Sequence, residues 1–230
     1  MRIQGLQKLT LLDFPGHTAC TVFTAGCNFR CPFCHNASLV THIEPEPACT
    51  EDAFFSFLSK RKGLLDGVAV TGGEPLLQPD IVNFLAKICI MGFKVKLDTN
   101  GSRPEVLEEI IQKGLVDYVA MDVKNTRAKY PITAGIDEND LDKIDKSIDL
   151  LLQNRIDYEF RTTLVRDFHT KEDIVALSHR LQGAKRWFLQ SFKDSGDLID
   201  GSCGGFSEAE MREMLDSARF AAPFAELRGI

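Results

Sequence analysis

The chain has 230 residues, a length that suits one large α/β domain or two small ones. With 44% hydrophobic and 26% charged residues its usage is ordinary for a globular protein, so a sizeable core is possible. A net charge of −6 argues against a nucleic-acid surface, no apolar run is long enough to span a bilayer, and residues 1–14 lack a signal peptide's apolar core, so a soluble cytoplasmic protein is expected.

Residues 8–16 form a short apolar segment closed by a Pro-Gly turn, and residues 19–25 read as a strand from whose end a cysteine loop hangs. After a polar, proline-spotted connection at 42–48, Thr50, Glu51 and Asp52 start a helix through Lys62 with Phe54, Phe55 and Leu58 at helical spacing. A strand at 67–71 runs into Gly72-Gly73-Glu74-Pro75, and a helix at 79–91 returns the chain with Ile81, Phe84, Leu85 and Ile88 on one face. The strand at 93–99 ends in Asp98-Thr99-Asn100-Gly101, after which Pro104 opens a helix to Lys113 that Gly114 stops. A strand at 116–123 ends Met121-Asp122-Val123-Lys124, residues 125–137 read as irregular, and a long amphipathic helix covers 139–154. A strand at 158–165, a helix at 171–181 and a strand at 186–192 follow, then a Gly/Ser loop and a helix from Ser207 with Glu210 completing a capping box.

Six such alternations are the signature of parallel βα units, curled into an incomplete barrel or left doubly wound. No linker or repeat divides the chain, so a single domain over 1–230 is expected, its core at about 15–195 and a loop and helix at 196–230. In either architecture ligands bind past the C-terminal ends of the strands. The polar clusters at 27–34, 72–74, 98–101 and 122–124 all fall there.

Residues 27–36 read Cys-Asn-Phe-Arg-Cys-Pro-Phe-Cys-His-Asn, placing Cys27, Cys31 and Cys34 at C-x3-C-x2-C spacing. Thiolates suit iron–sulfur clusters, zinc or copper(I). A four-iron cube usually takes four cysteines, so three would leave one iron with an open position for a small chelator. A zinc site including His35 and a disulfide are the alternatives, but adjacent Cys34 and His35 rarely reach one tetrahedral ion and no second pair exists. Cys20, Cys49, Cys89 and Cys203 are scattered and read as half-buried thiols in a reducing compartment, Cys203 in a glycine-rich loop that could swing. Strand alternation puts Asp98 with Lys96, and Asp122 with Lys124, on shared faces. Arg161 shares a face with Glu159 and reads either as its ion-pair partner or as a carboxylate clamp.

The cysteine spacing together with Gly72-Gly73-Glu74 resembles the radical S-adenosylmethionine (radical SAM) superfamily, and Phe33 before the last cysteine with His35-Asn36 after it resembles its glycyl-radical enzyme activases. The wider set of Asp13-Phe14-Pro15-Gly16, Arg161-Thr162-Thr163, Leu189-Gln190-Ser191-Phe192 and Leu227-Arg228-Gly229 is similar to the short anaerobic ribonucleoside-triphosphate reductase activating proteins. This resemblance implies an incomplete (β/α)6 barrel with a [4Fe–4S] cluster on Cys27, Cys31 and Cys34, whose open iron chelates S-adenosylmethionine. It implies that Gly72, Gly73 and Glu74 receive the methionine amino group, that Asp98, Thr99, Asp122 and Lys124 meet the methionine moiety with a monovalent cation nearby, and that Phe33, His35, Arg161 and Gln190 line the cofactor pocket. Lys193 stands where formate-lyase activases commonly carry a histidine. The implied partners are a glycyl-radical enzyme, namely anaerobic ribonucleotide reductase, and reduced flavodoxin or ferredoxin as electron donor, with no nucleic acid and no membrane. Only 201–230 follow the sixth βα unit, too little to build a lid over a small substrate, so a partner protein is the expected target. The rival readings are a radical enzyme acting on a small molecule or RNA, and a zinc or iron–sulfur binding module.

Overall fold

The computed structural model describes the whole chain, Met1–Ile230. Its strands are β1 (Ile3–Thr10), β2 (Ala19–Thr24), β3 (Gly67–Gly72), β4 (Lys94–Thr99), β5 (Tyr118–Asp122), β6 (Asp157–Leu164), β7 (Trp187–Ser191) and β8 (Ala225–Arg228). The helices are α1 (Ser38–Thr41), α2 (Glu51–Ser59), α3 (Ile81–Ile90), α4 (Pro104–Gln112), α5 (Tyr130–Ala134), α6 (Leu141–Leu152), α7 (Lys171–Arg180) and α8 (Glu208–Ala218). Short 3-10 turns lie at Pro75–Leu77 and Glu138–Asp140.

The strands form one sheet in the order β1 to β8, with β1 and β8 at unpaired edges, so the sheet is not closed. The six strands expected from the alternation are β2 to β7. Two were not expected: β1, which runs antiparallel to β2, and β8, which runs parallel to β7. From β2 onward helices occupy every connection between consecutive strands, which a parallel neighbour requires. The α/β reading with a mostly parallel, open sheet therefore holds, with an extra strand at each edge.

The chain divides into two compact units: Met1–Asn28, Ser38–Thr99 and Glu105–Val119 form the first, and Phe29–Ala37, Asn100–Pro104 and Ala120–Ile230 the second. In the first, β2, β3 and β4 pair in parallel, Val22 beside Val70 and Val70 beside Leu97. The apolar faces of α2 and α3 supply Phe54, Leu58, Phe84, Leu85 and Ile88 to its core, with Phe54 stacked on Phe84 at 5.3 Å between ring centroids. Each such side chain contributes on the order of 1.5–3 kcal/mol by leaving water. The Thr50 hydroxyl caps α2 by accepting the Ala53 N–H at 3.2 Å.

In the second unit β6 and β7 are in parallel register, Phe160 beside Trp187 and Thr163 beside Gln190. Trp187 is fully buried, and its indole N–H donates to the Thr162 hydroxyl at 3.0 Å, so the ring is packed without an unsatisfied donor. Helices α7 and α8 both begin with complete capping boxes, Thr170 with Asp173 and Ser207 with Glu210. Strand β8 brings Arg228 to Glu159, whose buried carboxylate accepts from both guanidinium nitrogens at 2.7 and 3.0 Å. The same guanidinium lies 3.7 Å from the Phe188 ring centroid.

Candidate functional site

The residues singled out by sequence fall into two groups, one in each unit. In the first unit Cys27, Gly72, Gly73, Glu74, Asp98 and Thr99 lie at or just past the C-terminal ends of β2, β3 and β4, which are parallel and so share one rim. The segment after β3 is laced to the segment after β2: Gly73 N–H donates to Thr24 O at 2.9 Å and Glu74 N–H to Gly26 O at 2.8 Å. A Cβ on Gly73 would lie 1.9 Å from Gly26 O, and Gly72 has φ +120 with a Cβ position 2.2 Å from Thr24 N. The close approach that these glycines permit is therefore to the chain's own backbone, one residue before Cys27.

Glu74 is fully buried, and its Oε1 accepts from Leu76 N–H at 3.0 Å and from the Thr99 hydroxyl at 2.8 Å. It caps the short turn Pro75–Leu77 and joins the ends of β3 and β4. Lys96 is almost fully buried and donates to Asp98 Oδ1, as the shared face requires.

In the second unit the cysteine loop carries Cys31, Phe33, Cys34 and His35. Cys34 N–H donates to Cys31 O at 3.1 Å, closing a tight turn between the two cysteines. Cys31 and Phe33 are buried, with Phe33 5.8 Å from the Phe168 ring. His35 stacks on Phe192 at 5.6 Å with the planes 14° apart. The loop at 194–205 lies against this segment: Asp200 N–H donates to Pro32 O at 2.8 Å. Gly204 N–H donates to Asp167 Oδ2 at 2.9 Å, a second tie, near the loop's C-terminal end. Cys203 within it is half-buried, and its thiol is pushed up by burial and then by Asp200 and Asp167.

Asp122 and Lys124, at and just past the end of β5, form one cluster with Arg161 from within β6. Asp122 accepts from Arg161 Nε at 2.8 Å through Oδ1 and from Lys124 Nζ at 2.9 Å through Oδ2. Burial alone would raise the Asp122 carboxyl, but Arg161 and then Lys124 outweigh it and hold it well below the carboxylate range. Burial pulls Lys124 down, but Asp122 and then the Cys31 thiol push it above the ordinary lysine value. Arg161 donates through Nε to Asp122, and Glu159 accepts from Arg228, so each has a partner besides the one that the shared strand face offers. Gln190 lies half-buried near the end of β7, beside Thr163 on one side and Arg228 on the other. His169 is buried, and its ring nitrogens are satisfied by Lys124 O at 2.8 Å and by Val165.

Sequence reasoning missed Tyr130, whose hydroxyl accepts Lys124 N–H at 3.2 Å, and Gly135, which abuts Arg30. Neither belongs to a spacing pattern, and both lie in the stretch read as irregular.

None of the seven cysteines is in a disulfide, and Cys27, Cys31 and Cys34 offer three soft donors within eight residues. That donor set fits an iron–sulfur cluster. No group of three or more His, Cys, Asp or Glu is gathered closely enough to hold a single metal ion.

The sequence model of the radical SAM superfamily matches residues 21–181, and the chain belongs to that superfamily. A [4Fe–4S] cluster and S-adenosylmethionine are the family's cofactors. Within it the chain groups with the glycyl-radical enzyme activases. A Methanocaldococcus jannaschii protein, named provisionally a glycyl-radical enzyme activating enzyme, is 34% identical over 92% of this chain and 89% of its own length. The pyruvate formate-lyase-activating enzyme of Clostridium pasteurianum is 32% identical over 54% of this chain, which spans about half (52%) of that enzyme. Streptococcus suis SuiB bound to its precursor peptide SuiA has the same fold over 91% of this chain and 48% of its own, with a TM-score of 0.72 and 14% identity. No helix is long and apolar enough to cross a membrane.

Proposed function

We propose that this chain is an activase that cleaves S-adenosylmethionine and installs a glycyl radical on anaerobic ribonucleotide reductase, with reduced flavodoxin or ferredoxin as electron donor. The observation that carries the reading is 34% identity across 92% of the chain to the activating-enzyme relative. The narrower choice of partner is supported by the Asp13-Phe14-Pro15-Gly16 and Arg161-Thr162-Thr163 motifs, and the net charge of −6 argues against a nucleic-acid partner.

Cys27, Cys31 and Cys34 would hold the cluster. When bound and reduced, it would supply the electron for reductive cleavage of S-adenosylmethionine, the chemistry from which a glycyl radical on the partner would derive. The chain's own residues bind and orient. Lys124 and Arg161, already converging on Asp122, form a cationic rim suited to a carboxylate, with the Asp122 charge limiting their mutual repulsion. Gly72, Gly73 and Glu74 would offer backbone carbonyls and a carboxylate to the ammonium, with Glu74 locked in place by Leu76 and Thr99. Asp98 and Thr99 complete that rim. Phe33, His35 and Gln190 would enclose the adenosyl end and keep water away. A monovalent cation, where bound, would compete with Lys96 for Asp98 or with Lys124 and Arg161 for Asp122.

The test is anaerobic incubation of reconstituted, reduced protein with S-adenosylmethionine and either an anaerobic ribonucleotide reductase or a pyruvate formate-lyase. Formation of 5′-deoxyadenosine accelerated only by the reductase supports the proposal. Acceleration by neither, with rapid turnover on a metabolite or RNA pool, contradicts it.

A further inference from the structure

Helix α5 and the glycine that ends it sit against the cysteine loop, in the stretch that sequence alone reads as irregular. Arg30 N–H donates to Ala134 O at 2.8 Å, and the Cys31 thiol lies 3.9 Å from the same oxygen. Gly135 caps α5 in the left-handed region, at φ 62 and ψ 49, which turns Ala134 O towards the loop. A Cβ at Gly135 would lie 2.7 Å from Arg30 O and 2.9 Å from Arg30 Cβ, so the first of these contacts is with backbone and has little room to yield. The other end of α5 is tied to the Asp122–Lys124 strand end. The Tyr130 hydroxyl accepts Lys124 N–H at 3.2 Å, its ring meets Phe29 edge-on at 6.4 Å, and Asn125 donates to Thr133 Oγ1 at 3.0 Å.

We propose that Gly135 is a positioning residue of the iron–sulfur centre: with α5 it forms a bracket that fixes Arg30 and Cys31 relative to Asp122 and Lys124. A side chain at this glycine displaces the loop backbone at the residue before Cys31, and with it the spacing of the thiols. The inference rests on the reading of Cys27, Cys31 and Cys34 as cluster ligands. Its distinguishing feature is that the glycine is required for its missing Cβ as well as for its φ. Gly114 is a matched control, since it has φ +64 after α4 and nothing within 4 Å of its Cβ position.

The experiment compares Gly135→Asn with Gly114→Asn, because asparagine tolerates the left-handed region and so leaves the Cβ clash as the main difference. Each chain is reconstituted anaerobically. Iron and sulfide content, the visible absorption of the cluster, and the change in the reduced cluster's paramagnetic spectrum on adding S-adenosylmethionine are read beside the thermal midpoint of the cluster-free chain. The expected result is that G114N matches wild type throughout, while G135N keeps its cluster-free midpoint close to that of G114N yet loses the cluster absorption or its response to the cofactor. Equal loading and equal spectra in both variants overturn the proposal, as does a midpoint of G135N so low that its iron loss reflects general unfolding. Failure of wild type itself to take up iron and sulfide would instead remove the underlying reading of the cysteines. Should G135N give no soluble protein, amide exchange on the wild-type chain decides: Arg30 N–H is protected if the bracket forms, and exchange as fast as in an open loop overturns it.

Discussion

Asp122→Asn removes the one carboxylate on which Lys124 and Arg161 converge, and the consequences can be worked from the geometry. Both carboxylate oxygens are used, one by each cation, at 2.8 and 2.9 Å. An amide offers only one acceptor oxygen and turns its NH2 towards the second cation, so at least one charge-assisted hydrogen bond is lost. Exposed pairs contribute about 0–1 kcal/mol and breaking a buried pair costs about 3–5 kcal/mol. With 28% of the Asp122 side chain and 15% of each partner exposed, the cluster lies between these limits. A loss of about 2–3 kcal/mol follows, or roughly 4–12 °C in thermal midpoint for a chain of this size. The pH dependence has a definite sign. The folded carboxyl titrates below its ordinary value of 3.8, so the stabilisation is complete above that pH and disappears as pH falls through the lower folded value. Thermal unfolding of cluster-free wild type and D122N at neutral pH, and again in strong acid, gives the difference directly. S-adenosylmethionine should also bind D122N about tenfold to a hundredfold more weakly, because Lys124 and Arg161 lose the carboxylate that holds them in place for the cofactor's own carboxylate. A midpoint within a degree of wild type at neutral pH, with unchanged cofactor affinity, would refute the reasoning.

Alanine at Cys27, Cys31 or Cys34 should each abolish the cluster spectrum, while serine at Cys20, Cys49, Cys89 or Cys203 leaves it intact; iron and sulfide analysis checks both halves. Cys20 supports the distinction, since burial pushes its thiol up to about 12 and disfavours the thiolate a metal needs. Burial lowers the His169 imidazole, so below the unfolded value of 6.5 the unfolded chain takes up more protons and stability falls with pH towards the lower folded value. Unfolding midpoints between pH 7 and 5 should therefore decline, and His169→Gln should flatten that decline. Lys96→Met should strengthen the dependence of S-adenosylmethionine binding on potassium, because Asp98 loses the ammonium it now accepts from; titrations with and without potassium decide this.

The cysteine loop and the strand-end motifs were legible because both depend on local pattern. Three thiols within eight residues declare a ligand set, and β-branched runs closed by Gly-Gly-Glu or Asp-Thr-Asn-Gly mark where strands stop. Strand β1 was missed because Ile3–Thr10 carries Gly5 and a run of exposed residues at its C-terminal half, with no clean alternation. Strand β8 has four residues, too few to show a period. Helix α5 is five residues with a proline near its start and β-branched Ile132 and Thr133 inside, a composition that propensity assigns to a loop. Tertiary contacts override that propensity here.

Side-chain partners were the least readable. Glu159 and Arg161 share a strand face, which made their pairing the natural guess. Further partners come from far off in sequence: Arg228 reaches Glu159 across 69 positions and Asp122 reaches Arg161 across 39. Both depend on sheet register, which one strand's own sequence does not contain. The glycines at 72 and 73 were legible as part of a strand-end motif, but not as a close approach to the backbone that leads into Cys27.

The most direct test of the activase reading is electron paramagnetic resonance of the partner after anaerobic incubation with reduced, cluster-loaded protein and S-adenosylmethionine. A glycine-centred doublet on the anaerobic ribonucleotide reductase, growing in step with 5′-deoxyadenosine and absent with the Cys31→Ala variant, is the predicted result. Loaded protein that cleaves the cofactor at full rate with the partner present, yet leaves no radical on it, would contradict the account.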